Sequence, residues 1–313
     1  MAVFVLRRLA AGIVLVFVVA TLTFCLLSMS GTDVARNIVG ENATAEQASA
    51  KTAQLGLDRP LPERYWDWIS HAVRGDLGTS WFSQTPVAQS IVDTVPITLS
   101  FVVVGLALSA VISIVLGSIA AVRGGPLDRV IQTFSSLGTA VPSFLIALVL
   151  AVVFAVQLRL LPATGFIPFA QSPSGWVESV TLPAIALAVG ATAATTAQVR
   201  GSMRDVLQTD YIRTLRSRGL GERSLILKHA LRNSLPPSLT VLSLQFIGLL
   251  GGAVIIEKIF GLPGIGSLAN SSATQGDLPV VLGVVVVMVL MIVLVNLLVD
   301  IAYGWLNPKV RVS

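Results

Sequence analysis

The sequence predicts an all-α integral membrane protein with six transmembrane helices. Three observations carry this. Of 313 residues, 54% are hydrophobic and only 12% are charged, about half the charged fraction of a soluble domain. Six apolar stretches approach the roughly 20 residues that a helix needs to cross about 30 Å of hydrocarbon. The basic residues gather in the segments between alternate stretches, as cytoplasmic loops do.

Taken in order, the first span covers 9–29 and follows Arg7 and Arg8. Its apolar stretch is longer than the core of a signal peptide, and no clear small-x-small cleavage site follows at once, so an uncleaved anchor is expected. Its Cys25 is the single cysteine and reads as a packing or lipid-facing residue. The second span is 97–122 and the third 134–156. The fourth, 180–199, is weaker and rich in Ala and Thr. The fifth, 238–256, begins after Pro236 and Pro237, and the sixth is 279–305. This divides the chain into 1–30 (N-terminus and first span), an outer segment 31–96, and a five-helix core 97–313 that carries a loop at 200–236.

Six spans place both termini on one side. With the N-terminus inside, the inner segments hold Arg7, Arg8, Arg123, Arg129, the basic residues of 200–236, Lys309 and Arg311. That is fourteen Lys and Arg against seven outside. The bias puts the termini and the 200–236 loop in the cytoplasm. It also accounts for the net charge of +5 without nucleic acid.

Within the six spans Asp300 is the only carboxylate, and no span carries a basic side chain. Ion-coupled carriers bury carboxylates or histidines at mid-depth. Gln198 and Gln245 are the polar candidates for lining a path, with interhelical hydrogen bonding the plainer account. No G-x-x-x-x-G-K-[ST] phosphate loop occurs. GLPGIG (261–266) lacks its Lys and Ser/Thr and reads as a turn around Pro263. His71 and His229 fall on opposite sides of the membrane, and no nucleophile triad or metal-spaced cluster is present. The expectation is a chain without catalysis of its own and without a cofactor.

The loop holds the most informative stretch, DYIRTLRSRGLGERSLILKHALRN (210–233). Thr209 or Asp210 suits a helix N-cap. Gly219 suits a left-handed stop, with Arg216 and Arg218 at the negative end of the dipole. Tyr211, Ile212 and Leu215 share one side of this short helix, and Arg213 and Arg216 another. Glu222 and Ser224 offer a second start, running to about Asn233. A helix this short is marginal alone. Three accounts compete: charge that only orients the protein, a helix lying on headgroups, or a knuckle docking on a cytosolic protein. Docking accounts for charge, caps and apolar stripe together.

DYIRTLRSRGL followed by KHALRNSLPP resembles the cytoplasmic loop of the dipeptide/oligopeptide permeases of ATP-binding-cassette importers. Three further pieces fall in the family's order: LGLDRPLPERYWDW (55–68) with GDLGTSW (75–81), EKIFGLPGIGSLAN (257–270) with GDLPVVLG (276–283), and NLLVDIAYGWLNPKVR (296–311). The resemblance spans nearly the whole chain. Importer permeases carry E-A-A-x3-G in this loop. Here those positions are Arg213, Thr214 and Leu215, with Gly219 retained, so the acidic residue is replaced.

The resemblance implies a type I importer permease fold. Asp210, Tyr211, Ile212, Arg213, Leu215, Arg216 and Gly219 would form a coupling helix seated on an ATPase. It also implies a second homologous permease, two cytosolic ATPase subunits or domains that hold ATP and magnesium, and an extracytoplasmic substrate-binding protein. The cargo would be dipeptides or oligopeptides. Segment 31–96 is too long for a turn and is acidic, with Asp33, Glu41, Glu46, Asp58, Glu63, Asp67, Asp76 and Asp93 against five basic residues. Its Tyr65, Trp68, Ile69 and Ala72 are helically spaced. Trp66, Trp68 and Trp81 either rest at the headgroup level or, with Gly264, border an outer mouth that meets the binding protein. A stand-alone secondary transporter or channel, and a non-transporting scaffold, are the rival readings.

Overall fold

Long apolar helices dominate the computed structural model, which describes residues 2–29, 34–40 and 42–306. Lys309, Arg311, Asp33 and Glu41, which entered the charge counts above, lie outside the described residues, as does the end of the 296–311 stretch. The helices are α1 (Ala2–Met29), α2 (Val34–Val39), α3 (Ala45–Gln54), α4 (Leu61–Ala72), α5 (Val87–Arg123), α6 (Gly125–Ala140) and α7 (Ser143–Leu150), which continues as a π-helical stretch, Ala151–Gln157. Then follow α8 (Pro173–Leu207), α9 (Asp210–Ser217) and α10 (Glu222–Ser224), which continues through a π-helical Leu225–Ala230 into α11 (Leu231–Ile259). The last two are α12 (Ile265–Gln275) and α13 (Leu278–Leu306). Among the described residues the only β-pairing is one antiparallel bridge, Thr79 to Pro86.

Among the described residues, five helices are long and apolar enough to cross a membrane: Leu6–Met29, Val87–Arg123, Pro173–Leu207, Glu222–Ile259 and Leu278–Gly304. The predicted third span differs. It is a pair, Gly125–Ala140 and Ser143–Gln157, bent by 94°. The cause is local: Pro142 has no N–H and disfavours helical backbone at the residue before it. Val141 is accordingly extended (φ −87, ψ 119). Counting the pair as one span brings the total to six.

The fifth span also differs from its expected start. Pro236 and Pro237 lie inside a helix that runs unbroken for 38 residues from Glu222. The second helical stretch expected in the 200–236 loop and the fifth span are one element. Each proline removes a donor, but the neighbouring turns carry the helix through.

The chain divides into two compact units, one of residues 98–262 and 294 onward, the other of 2–97 and 263–293. In the first, α8 is central and packs against α6, α7 and α11. Its small side chains, among them Ala184, Ala186, Ala188, Ala191 and Thr196, are buried. This close approach explains the weak hydropathy of the fourth span, since an enclosed helix is selected for small residues rather than for lipid-facing bulk. A Cβ at Gly117 would stand 2.7 Å from Val199 Cβ, so α5 reaches α8 only because position 117 is bare. Glu257, which the sequence places near a helix end, is fully buried and accepts a 2.5 Å hydrogen bond from Thr98 Oγ1.

In the second unit, α4 lies against α1. The Thr21 and Tyr65 hydroxyls share a 2.5 Å hydrogen bond, and the Phe24 and Tyr65 rings meet edge to face at 5.2 Å. Phe24, Leu278 and Leu282 form a core with Tyr65, Trp68 and Trp81 packed on it. Asp277, just ahead of α13, is buried. It accepts from Ser80 Oγ at 2.6 Å and from the Trp81 N–H at 3.2 Å.

Candidate functional site

The short basic helix forms where the sequence places it, and both ends follow from local chemistry. Thr209 holds the extended N-cap conformation. Its hydroxyl donates back to Val206 O at 2.7 Å instead of capping α9. Its carbonyl takes the first helical bonds, from the N–H groups of Ile212 (3.1 Å) and Arg213 (3.3 Å). Asp210 opens the first turn, where a carboxylate complements the dipole, and accepts from Arg213 Nη1 at 3.1 Å.

At the other end Gly219 is left-handed, with φ +80. The Gly219 N–H reaches Arg216 O (3.0 Å) and the Leu220 N–H reaches Leu215 O (3.4 Å). These two bonds make a Schellman stop. Arg216 donates from Nε to Glu222 Oε1 at 2.7 Å, tying the end of α9 to the start of α10. That hydrogen bond pushes the guanidinium above its ordinary pKa.

The apolar stripe is divided by the fold. Ile212 is fully buried in a core of Met203, Leu225 and Ala230, and Leu215 packs partly against it. The chain therefore covers this stripe itself and needs no outside partner to do so. Tyr211 is half-exposed, with its hydroxyl 3.0 Å from His229 Nδ1. Asp210, Arg213 and Arg216 stand in solvent. The free face of α9 is thus polar and charged, with Tyr211 at its edge.

A second feature lies just ahead of α9, and sequence reasoning missed it. Arg200 donates from Nε to Asp128 Oδ1 and from Nη2 to Oδ2 at 2.6 Å. Arg204 Nη2 adds a 3.0 Å bond to the same carboxylate. Asp128 is buried, so the cluster fastens the start of α6 to the last two turns of α8. The i, i+4 spacing of Arg200 and Arg204 was visible, but Asp128 lies 72 and 76 residues away.

The other predicted residues are dispersed. Gln198 donates to Ser202 Oγ at 3.0 Å, one turn along its own helix, and Gln245 is half-buried on α11. Trp68 and Trp81 line one cavity, while Trp66 stands exposed outside it. Gly264 is buried and occupies the N-cap position of α12.

Residues 113–312 match the model of the binding-protein-dependent transport system inner membrane component, and residues 1–102 match that of the family's N-terminal part. The chain belongs to this family. Its members are the membrane permeases of binding-protein-dependent importers. A chain of Brucella abortus (strain 2308), named for a peptide transport system permease, is 37% identical over 308 residues, covering 98% of each. The glutathione transport system permease protein GsiC of Escherichia coli (strain K12) is 36% identical over 309 residues, again 98% of each. In the crystal structure of an amino acid ABC transporter with histidines, one chain superposes with a TM-score of 0.50 at 16% identity. The match covers 69% of this chain and 94% of that one. It supports the permease fold for the chain described here.

Proposed function

We propose that this permease forms half of the translocation path of an ATP-driven peptide importer, the other half being a second homologous permease. In this reading the bent pair is one span, giving six, and both termini and the 200–236 loop face the cytoplasm. Residues 31–96 face outward, where a substrate-binding protein delivers cargo to a surface that includes Trp66, Trp68, Trp81 and Gly264. The five-helix core begins at residue 97, with Gln198 and Gln245 bordering the path. ATP and magnesium belong to two cytosolic ATPase subunits. The peptide and glutathione systems in which full-length relatives are named support the cargo class.

The observation that carries the coupling role is a charged, solvent-facing helix held rigidly at both ends. Asp210, Tyr211, Arg213 and Arg216 present the docking face. Ile212 and Leu215 anchor it to the permease, and Gly219 fixes where it stops. Arginines on such a face steer an acidic partner surface.

Gly219 supplies the test. Its φ of +80 disfavours a β-branched residue, yet a Cβ there would meet no atom within 4 Å. Gly219→Val should therefore act through the backbone, and Gly219→Asn, tolerant of this conformation, should not. In the reconstituted complex, Val should lower uptake per ATP hydrolysed while Asn keeps it. Wild-type coupling in the Val variant would refute the assignment.

A further inference from the structure

In the second unit, two adjoining cavities share Arg64 and Trp81. The larger, about 290 Å³, is also lined by Trp68, Asp76 and Phe24. The smaller, about 190 Å³, is also lined by Ser28. The charges around the larger one do not all pair. Asp67 is matched by Arg59 at 3.7 Å. Arg64 is half-buried, and among the described residues it makes neither an ion pair nor a side-chain hydrogen bond. Burial lowers its pKa, the mark of a cation drawn from water without a counter-ion. Two more donors are orphaned beside it: Trp68 Nε1 and Ser28 Oγ are buried with no acceptor. Buried polar groups are normally satisfied, and two buried, unsatisfied donors beside an unpaired guanidinium, around one pair of cavities, point to an acceptor from outside the chain. Asp76 accepts only from the Gly78 N–H, at 2.9 Å, and forms no ion pair among the described residues.

We propose that this cavity binds a small zwitterion, a free amino acid or dipeptide, with its carboxylate on Arg64 and its ammonium on Asp76. A guanidinium fork matches a planar carboxylate bidentately. The acidic residues in the lining oppose a dianion such as phosphate. The volume lies at the lower edge of small-molecule sites, which limits the ligand to about one or two residues, with Phe24, Trp68 and Trp81 as apolar walls. The site stands apart from the coupling reading, since binding here needs neither ATP nor a partner chain.

The test uses the full chain in lipid nanodiscs, with alanyl-alanine, its amide, its N-acetyl derivative and acetate as probes, read by tryptophan fluorescence. Alanyl-alanine should give a saturable change. The amide, the N-acetyl derivative and acetate should each bind at least tenfold more weakly. Arg64→Gln should lose at least tenfold in affinity and Arg64→Lys less. Asp76→Asn should bind alanyl-alanine no more tightly than the N-acetyl form. Trp68→Phe, which keeps an aromatic side chain and removes the donor, should weaken binding at a nearly unchanged melting temperature. If Arg64→Gln does not fold, the Lys variant and the amide comparison decide. No saturable change with millimolar alanyl-alanine would overturn the proposal. So would equal binding of acid and amide, equal binding of acetate, or indifference to Arg64 and Asp76.

Discussion

Replacing Asp128 with Ala should destabilise the chain more than any surface change, because it strands two arginines. The Asp128 side chain is 9% exposed, Arg200 22% and Arg204 38%. Breaking a buried ion pair from one side costs about 3–5 kcal/mol. The partial exposure of Arg204 lets water reach the cluster, which places the loss near 3 kcal/mol. For a chain of this size that lowers the melting temperature by about 5 °C. The decisive measurement is a double-mutant cycle in detergent or nanodiscs with Asp128→Ala, Arg200→Ala and both together. Removing Arg200 as well relieves the stranded charge, so the double variant should lose at least about 1 kcal/mol less than the sum of the singles. Additive losses, within about 0.5 kcal/mol, would show that Asp128 and Arg200 do not act as a unit. That result would sink the argument that α6 is fastened to α8 through this carboxylate.

Two further changes test the packing of each unit. Ile212→Ala empties a fully buried position and should cost about 2–4 kcal/mol, seen as faster proteolysis between residues 217 and 223, whereas Tyr211→Ala should cost less. Gly283→Ala drives a Cβ into Val87 Cγ1. It should lose about 1–3 kcal/mol by overpacking, and thermal melts should show recovery when Val87→Ala is added.

How far the sequence could be read depended on what each helix touches. Spans one, two and six are apolar on nearly every side, and their hydropathy announced them. The fourth is the most enclosed, and its buried alanines and threonines gave the faintest signal. Pro142 carried the information for the break in the third span, since an X-Pro step disfavours helix before it. Pro236 and Pro237 misled because proline is read as a boundary, while here they lie within a helix already under way. The ends of α9 were legible in Asp210 and Gly219, whose reasons are local. Which face of α9 is free was not, because it depends on Met203 and Leu225 arriving from flanking helices. The Asp128 cluster was hidden for the same reason, being a contact made only in three dimensions.

The position of α9 between two long helices gives the coupling proposal its mechanical content. At 1.5 Å per residue, α8 and the helix Glu222–Ile259, of 35 and 38 residues, run for about 50–60 Å. Both exceed the roughly 30 Å of hydrocarbon, so neither fits within the lipid along its whole length. The joints are short: Gln208 and Thr209 on one side, Arg218 to Gly221 on the other. Ile212 locks α9 to Met203 of α8 and Leu225 of the second helix, and α8 packs in turn against α11. A push on the exposed face of α9 therefore cannot be absorbed by a slack loop. It must be shared between two spans already packed on each other, and through Arg200 and Arg204 with the start of α6. Were α9 tethered by long flexible linkers, the same docking chemistry would transmit little.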